Sequence, residues 1–217
     1  MSPLSEAPGL VIFDCDGVLV DSEPIFLRVL HRYLLSAGAS LTLETCCAEF
    51  IGKSKGDVET YLLTQSLPIP ADWPQAFYEK AMEDLERDCK AIDGIEQVLQ
   101  ALIEAQIPFC AASNGLRDKI EFTLSNTGLL HFFEGRIFSA YEVGQSKPAP
   151  DVFLHAAREL GSAPDRCVVI EDSPSGIQAA KAAEMTCFAY DVAPAASNVD
   201  AHVFSHMRDL PALLKLS

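Results

Sequence analysis

The 217-residue chain has no apolar run near the roughly 18 to 20 residues that a bilayer-spanning helix requires. Its opening residues, MSPLSEAPG, carry neither the basic flank nor the apolar stretch of a secretory leader, so a cytoplasmic location is expected. There is no Cys-x-x-Cys pair. The seven cysteines (Cys15, Cys46, Cys47, Cys89, Cys110, Cys167 and Cys187) are scattered and odd in number. The five histidines are dispersed as well, at positions 31, 131, 155, 202 and 206. Neither a disulfide framework nor a zinc site is expected. Cys15, Cys110, Cys167 and Cys187 fall in apolar runs and read as small core residues in a reducing compartment. Positive charge is also short: 16 Lys and Arg against 31 Asp and Glu give a formal net charge of −15. Such a surface repels nucleic acid and anionic membranes, and neither is expected as a partner. It also repels a phosphorylated metabolite, unless a metal or a local lysine reverses the field inside the site. Repeats and low-complexity segments are absent, and a monomer is the default expectation.

Forty-nine per cent of the residues are hydrophobic and 22% are charged, enough for a substantial core. Short, nearly continuous apolar runs recur at residues 9–14, 107–113, 136–140, 166–172 and 185–190. They read as strands covered on both faces. Helical spacing separates them at 94–106, 116–128, 151–161 and 175–184, with Asp151 as an expected N-cap. Alternating strand and helix imply an α/β fold, a Rossmann-like doubly wound parallel sheet. Residues 23–88 break the rhythm with helix-period stretches, among them Ile25, Phe26, Val29, Leu30, Tyr33 and Leu34. A small helical cap domain over 23–88 is therefore expected, inserted into a core made of 1–22 and 89–217.

Open parallel sheets bind ligands beyond the carboxyl ends of their strands. The first run ends in Asp14 and Asp16, the second in Ser113, Asn114 and Gly115, and the fourth in Glu171, Asp172 and Ser173; Lys147 precedes a later helix in SKPAPD. Asp14 and Asp16, two residues apart, address one site. Two carboxylates about 4 Å apart repel by about 4 kcal/mol at an effective dielectric near 20. A hard divalent cation resolves the conflict, and all-oxygen ligands select Mg²⁺ over zinc.

The segments DCDGVLVDS, ASNG, SKPAPD and IEDSPSG, in that order, resemble the four motifs of the haloacid dehalogenase-like hydrolase superfamily, over nearly the whole chain. VDSEP and the cap position point to its beta-phosphoglucomutase-like branch, and HFF…IFSAYEVGQSKPAPDVFLHAA is similar to 6-phosphogluconate phosphatase-type members. The resemblance implies that Asp14 is a nucleophile forming an aspartyl-phosphate and that Asp16 is the acid/base residue. It implies that Ser113, with the backbone N–H groups of Asn114 and Gly115, receives phosphate oxygens, and that Lys147 supplies fixed positive charge. Mg²⁺ would be held by Asp14, Asp172 and the Asp16 carbonyl, with Glu171 acting through water. Gly17 lets the chain turn so that the two aspartates take different roles.

Asp16 excludes halide chemistry, because the dehalogenase branch lacks that residue. Beta-phosphoglucomutases carry a histidine where this chain has Phe26, and two cationic residues in the cap loop where it has Ile51 and Lys55. The expected activity is therefore a Mg²⁺-dependent phosphatase acting on a sugar phosphate or sugar-acid phosphate. A phosphomutase and a non-catalytic phosphometabolite sensor remain as alternatives. The cap loop over residues 51–57 is the candidate for substrate choice, with Lys53 and Lys55 facing a carboxylate or second phosphate.

Overall fold

A computed structural model describes residues 4–51, 55–192 and 201–216. Each expected apolar run forms a strand: β1 (Leu10–Phe13), β2 (Phe109–Ser113), β3 (Ile137–Ser139), β4 (Cys167–Glu171) and β5 (Thr186–Tyr190). A further strand, β6 (His202–Phe204), forms where none was expected, with two of its three residues exposed. With only one of its three residues buried, it carries no apolar run to mark it. Four helices follow β1: α1 (Glu23–Ser36), α2 (Leu43–Phe50), α3 (Lys55–Thr64) and α4 (Gln75–Asp88). The rest are α5 (Ile95–Glu104), α6 (Arg117–Asn126), α7 (Ala140–Val143), α8 (Asp151–Glu159), α9 (Pro174–Ala182) and α10 (Leu210–Leu213). None of the described helices is long and apolar enough to cross a membrane.

All strand pairs are parallel, in the order β3-β2-β1-β4-β5-β6. This is the doubly wound order, in which the winding direction reverses beside β1. Residues i and i+2 share a sheet face. Leu10, Ile12, Cys110, Ala112, Cys167, Val169, Cys187 and Ala189 accordingly line one face, packed with Val152, Phe153 and Ala156 of α8 and Ile177 and Ala180 of α9. The cysteines here are small core residues, as expected, and every cysteine is free. On the other face Phe13 meets Phe109 edge-on at 6.4 Å, and Phe109 meets Phe133 at 5.5 Å. Helix α9 begins with Pro174, and Ser173 caps it by accepting from the Gly176 N–H at 3.0 Å. Asp151 is not the cap of α8: Pro150, with φ −78°, takes that position, and Asp151 is the first helical residue. The ring's fixed φ already leads into the helix.

Asp21–Lys90 forms a second compact unit, joined to the first at Val20/Asp21 and Lys90/Ala91. Leu27, Leu30 and Leu34 of α1 pack with Cys46 and Phe50 of α2 and Val58 and Leu62 of α3. Tyr33, Trp73 and Phe77 form an aromatic group, with Tyr33–Trp73 at 4.9 Å and Trp73–Phe77 at 5.2 Å. The buried Asp84 is neutralised by Arg32 and by Arg87 at 3.1 Å. Lys53 of the expected specificity loop lies outside the described residues, as does the Lys55 side chain; Lys55 opens α3.

Leu34 is fully buried. Replacing it with Ala should destabilise the helical unit by about 2–5 kcal/mol. Native-state hydrogen exchange should then lose protection in α1 and α2 while β1, β4 and β5 keep theirs. Equal loss in both units would mean that they unfold as one.

Candidate active site

The reversal beside β1 opens a crevice at the carboxyl ends of β1, β2 and β4. Asp14 continues β1 by one residue, and its N–H donates to Ile170 of β4 at 2.9 Å. Glu171 is the last residue of β4 and is fully buried. Two carboxylates on adjacent strand ends, both out of water, require a cation between them. Lys147 is that cation. Its Nζ donates to Asp14 Oδ1 at 2.5 Å, to Glu171 Oε1 at 2.7 Å and to the Ala112 carbonyl at 3.0 Å. It also sits 4.7 Å from the centre of the Phe153 ring. Desolvation disfavours charge on both partners. For Asp14 burial outweighs the pull of Lys147, and with Glu171 and Asp16 nearby its carboxyl is held above the usual carboxylate range. For Lys147 burial is overcome by Asp14 and Glu171, and the ammonium is held more firmly than an ordinary lysine's.

Asn114 holds the backbone of Lys147 from both sides. Its Oδ1 accepts the Lys147 N–H at 2.8 Å, and its Nδ2 donates to the Lys147 carbonyl at 3.4 Å. The structure thus gives the Asn114 side chain a task beyond the backbone role expected of it. Ser113 is buried at the end of β2, and its Oγ accepts the Gly115 N–H at 3.0 Å. That N–H, expected to face phosphate, is here turned onto Ser113. The Gly115 carbonyl accepts from Ser139 Oγ at 2.6 Å, so the end of β3 braces the same turn.

Glu171 Oε2 accepts from the Asp172 N–H at 3.0 Å, and from the Ser173 N–H and Oγ at 2.9 Å each. With Oε1 on Lys147, both its oxygens are committed to protein donors. Oxygens of Asp14, Glu171 and Asp172 lie within 4.8 Å of one another. This is a hard, anionic donor set of the kind that suits Mg²⁺. Two glycines make room for it. A Cβ on Gly17, which has φ +81°, would strike the Asp172 carboxylate, and one on Gly176 would strike that of Glu171.

The sequence reading missed two residues. Ser139 ends β3 and was discoverable by the strand-end question asked of the other strands. Lys119 of α6 is 6% exposed, and its Nζ pairs with Asp16 Oδ1. Burial works against its charge, but Asp16 together with Cys15 and Asp14 prevails and holds the ammonium more firmly than usual. Lysine in a helix is ordinarily a surface residue, so its local pattern carries no signal.

A family model described as haloacid dehalogenase-like hydrolase matches residues 8–184, more than half of the chain. The 6-phosphogluconate phosphatase of Escherichia coli (strain K12) is 29% identical over 210 residues, covering 94% of each chain. The phosphorylated carbohydrates phosphatase of Thermotoga maritima is 30% identical, covering 80% of each. Among solved structures, a HAD family hydrolase from Deinococcus radiodurans R1 with bound phosphate and sodium superposes with a TM-score of 0.84 at 33% identity, covering 97% of each chain. By this match, and by its doubly wound sheet, the chain belongs to the haloacid dehalogenase-like hydrolase family.

Proposed function

We propose that this phosphoric monoester hydrolase releases phosphate from a small sugar phosphate or sugar-acid phosphate through a phospho-aspartyl intermediate on Asp14. One observation carries the reading: Lys147 joins Asp14 and Glu171 at a strand edge where the oxygens of Asp14, Glu171 and Asp172 converge. The names of the Escherichia coli and Thermotoga maritima relatives support the substrate class, and the phosphate held by the Deinococcus radiodurans neighbour supports the group bound.

A carboxylate oxygen of Asp14 forms a bond to phosphorus as the ester P–O bond breaks. The leaving oxygen takes a proton from Asp16. Asp16 then accepts a proton from water, whose oxygen bonds to phosphorus and frees Asp14. Lys147 fixes the nucleophile and offers positive charge to the phosphoryl oxygens. Ser113, Asn114 and Gly115 orient those oxygens, with the Gly115 N–H exchanging its bond to Ser113 for one to substrate. Asp14, Asp172 and the Asp16 carbonyl would hold Mg²⁺, which when bound neutralises phosphoryl charge. Glu171, committed to Lys147 and to the turn after β4, holds the ammonium and would reach the cation only through water. We assign residues 23–88 to a cap and Lys53 and Lys55 to the choice of substrate, on their charge and the family resemblance.

The first test is phosphate release from sugar phosphates, 6-phosphogluconate, phosphoglycolate and nucleotides. Strong preference for a sugar or sugar-acid phosphate is expected; no release from folded protein would overturn the reading. Asp14→Asn should keep the fold and lower kcat by on the order of 10⁴-fold or more. EDTA should abolish turnover and added Mg²⁺ restore it. Mg²⁺ should also raise the melting temperature of the wild type and fail to raise that of Asp172→Asn, a readout independent of activity. Lys53→Ala and Lys55→Ala should raise KM about tenfold for the preferred anionic substrate and leave an uncharged sugar's phosphate unaffected. Equal effects on both would remove these lysines from substrate choice.

A further inference from the structure

We infer that Lys119 is a positioning residue for Asp16: its buried ammonium holds one oxygen of the Asp16 carboxyl group, whose other oxygen, in the reaction proposed above, gives its proton to the leaving oxygen and later takes one from water. The inference rests on that reading of Asp16 and goes beyond the four motifs, none of which contains Lys119.

The placement of Lys119 is costly in three ways. Its side chain is only 6% exposed, whereas lysines are rarely buried unless paired. An ammonium out of water loses hydration that its pairing must replace. It also lies in the first turn of α6, where the helix dipole favours anions. The same helix shows the inexpensive alternative. Arg117, two residues earlier, reaches outward to Glu142 at 2.6 Å and to the Ile137 carbonyl at 2.7 Å. Lys119 turns inward instead and pairs with Asp16 Oδ1. Asp16 keeps 33% of its side-chain exposure, so the carboxylate is anchored while still open to solvent and substrate.

The stem of Lys119 passes close to the Ser113–Gly115 turn. A Cβ added to Gly115 would lie 3.6 Å from Lys119 Cδ, in ordinary van der Waals contact. The stem therefore runs beside the Ser113–Gly115 turn while the head holds Asp16. A single residue thus spans the turn assigned to the phosphoryl oxygens and the group assigned to the leaving oxygen. Tethering one oxygen of Asp16 restricts the rotation of its carboxyl, and geometric restriction of a general acid is worth rate.

The test compares two phosphate esters by kcat/KM, which reports steps up to and including formation of the phospho-aspartate. A sugar phosphate leaves as an alkoxide and needs a proton; p-nitrophenyl phosphate leaves as a stabilised phenolate and does not. Lys119→Met should lower kcat/KM for the sugar phosphate by roughly 10- to 100-fold, a fraction of the full general-acid contribution. It should change kcat/KM for the aryl ester less than about threefold, since that step draws little on Asp16. Lys119→Arg, which keeps the charge, should recover most of the loss. If Lys119→Met does not fold, Lys119→Gln against Lys119→Arg gives the same comparison. Asp16→Asn serves as the reference and should show the same selectivity more strongly. If it does and the Lys119 variants lose both esters equally or neither, the positioning role is wrong and the phosphatase reading stands. If Asp16→Asn itself is unselective, the assignment of Asp16 fails and takes the role of Lys119 with it.

Discussion

One ammonium group holds the carboxyl edge of the sheet together. β1 and β4 pair in register, Phe13 opposite Ile170, so the residues that follow bring Asp14 and Glu171 side by side. Both are buried, and their mutual repulsion would open the edge without a counter-charge. Lys147 supplies it from a segment more than thirty residues beyond β2, and Asn114 at the end of β2 grips its backbone. Breaking a buried pair of this kind costs about 3–5 kcal/mol, mostly from the charge left behind. The consequences spread outward. Glu171, held by Lys147, accepts from the Asp172 and Ser173 N–H groups and so shapes the turn into α9. That turn sets Asp172 opposite Gly17, where only a glycine leaves space for the carboxylate.

The sheet was legible because its physics is local. A strand covered on both faces must be apolar throughout, and the five apolar runs of β1 to β5 announce themselves in this way. The abrupt change from apolar to acidic at Phe13–Asp14 and at Ile170–Glu171 marked the strand ends and with them the site. Strand β6 escaped because it exposes two of its three residues, whereas β3 at the opposite edge is buried throughout. In α1 the helical period was plain, yet Leu27 packs into the helical core while Tyr33 joins the aromatic group. Which face wins depends on partners that the local sequence does not name. Asp151 shows the same limit, since a proline before it had already taken the cap.

The site divides along similar lines. Residue types at strand ends pointed to Asp14, Ser113 and Asp172, and Lys147, just before a later helix, joined them as the positive charge such a cluster of oxygen donors needs. What each one holds was not legible. The Asn114 side chain clamps Lys147, the Gly115 N–H turns onto Ser113, and Glu171 spends its oxygens on protein donors. These are facts of distance between segments far apart in the chain. Lys119 is the extreme case: its helix reads as surface, and only the fold brings it to Asp16, 103 residues earlier.

Charge burial ties these observations to function. Among the described residues the buried charged side chains are Asp14, Asp84, Lys119, Lys147 and Glu171. Asp84 anchors the helical unit through arginines. The other four meet at one sheet edge, together with Asp16 and Asp172. A chain of net charge −15 has abundant carboxylates for its surface, so placing them here opposes stability and needs another reason. By formal charge, four carboxylates facing two ammonium groups leave two negative charges, the amount a single divalent cation carries, and a cation there would favour the ionised form of Asp14 against the burial that raises it. In the reading proposed here, the lysines and the cation together make the pocket receptive to a phosphate dianion that the protein's outer field would repel. On the same proposal the two lysines divide the work by position: Lys147 would serve the bond-forming carboxylate, and Lys119 the carboxyl group that moves the proton. Separate cations let one carboxylate stay fixed while the other changes protonation, a division that a single shared lysine would not allow.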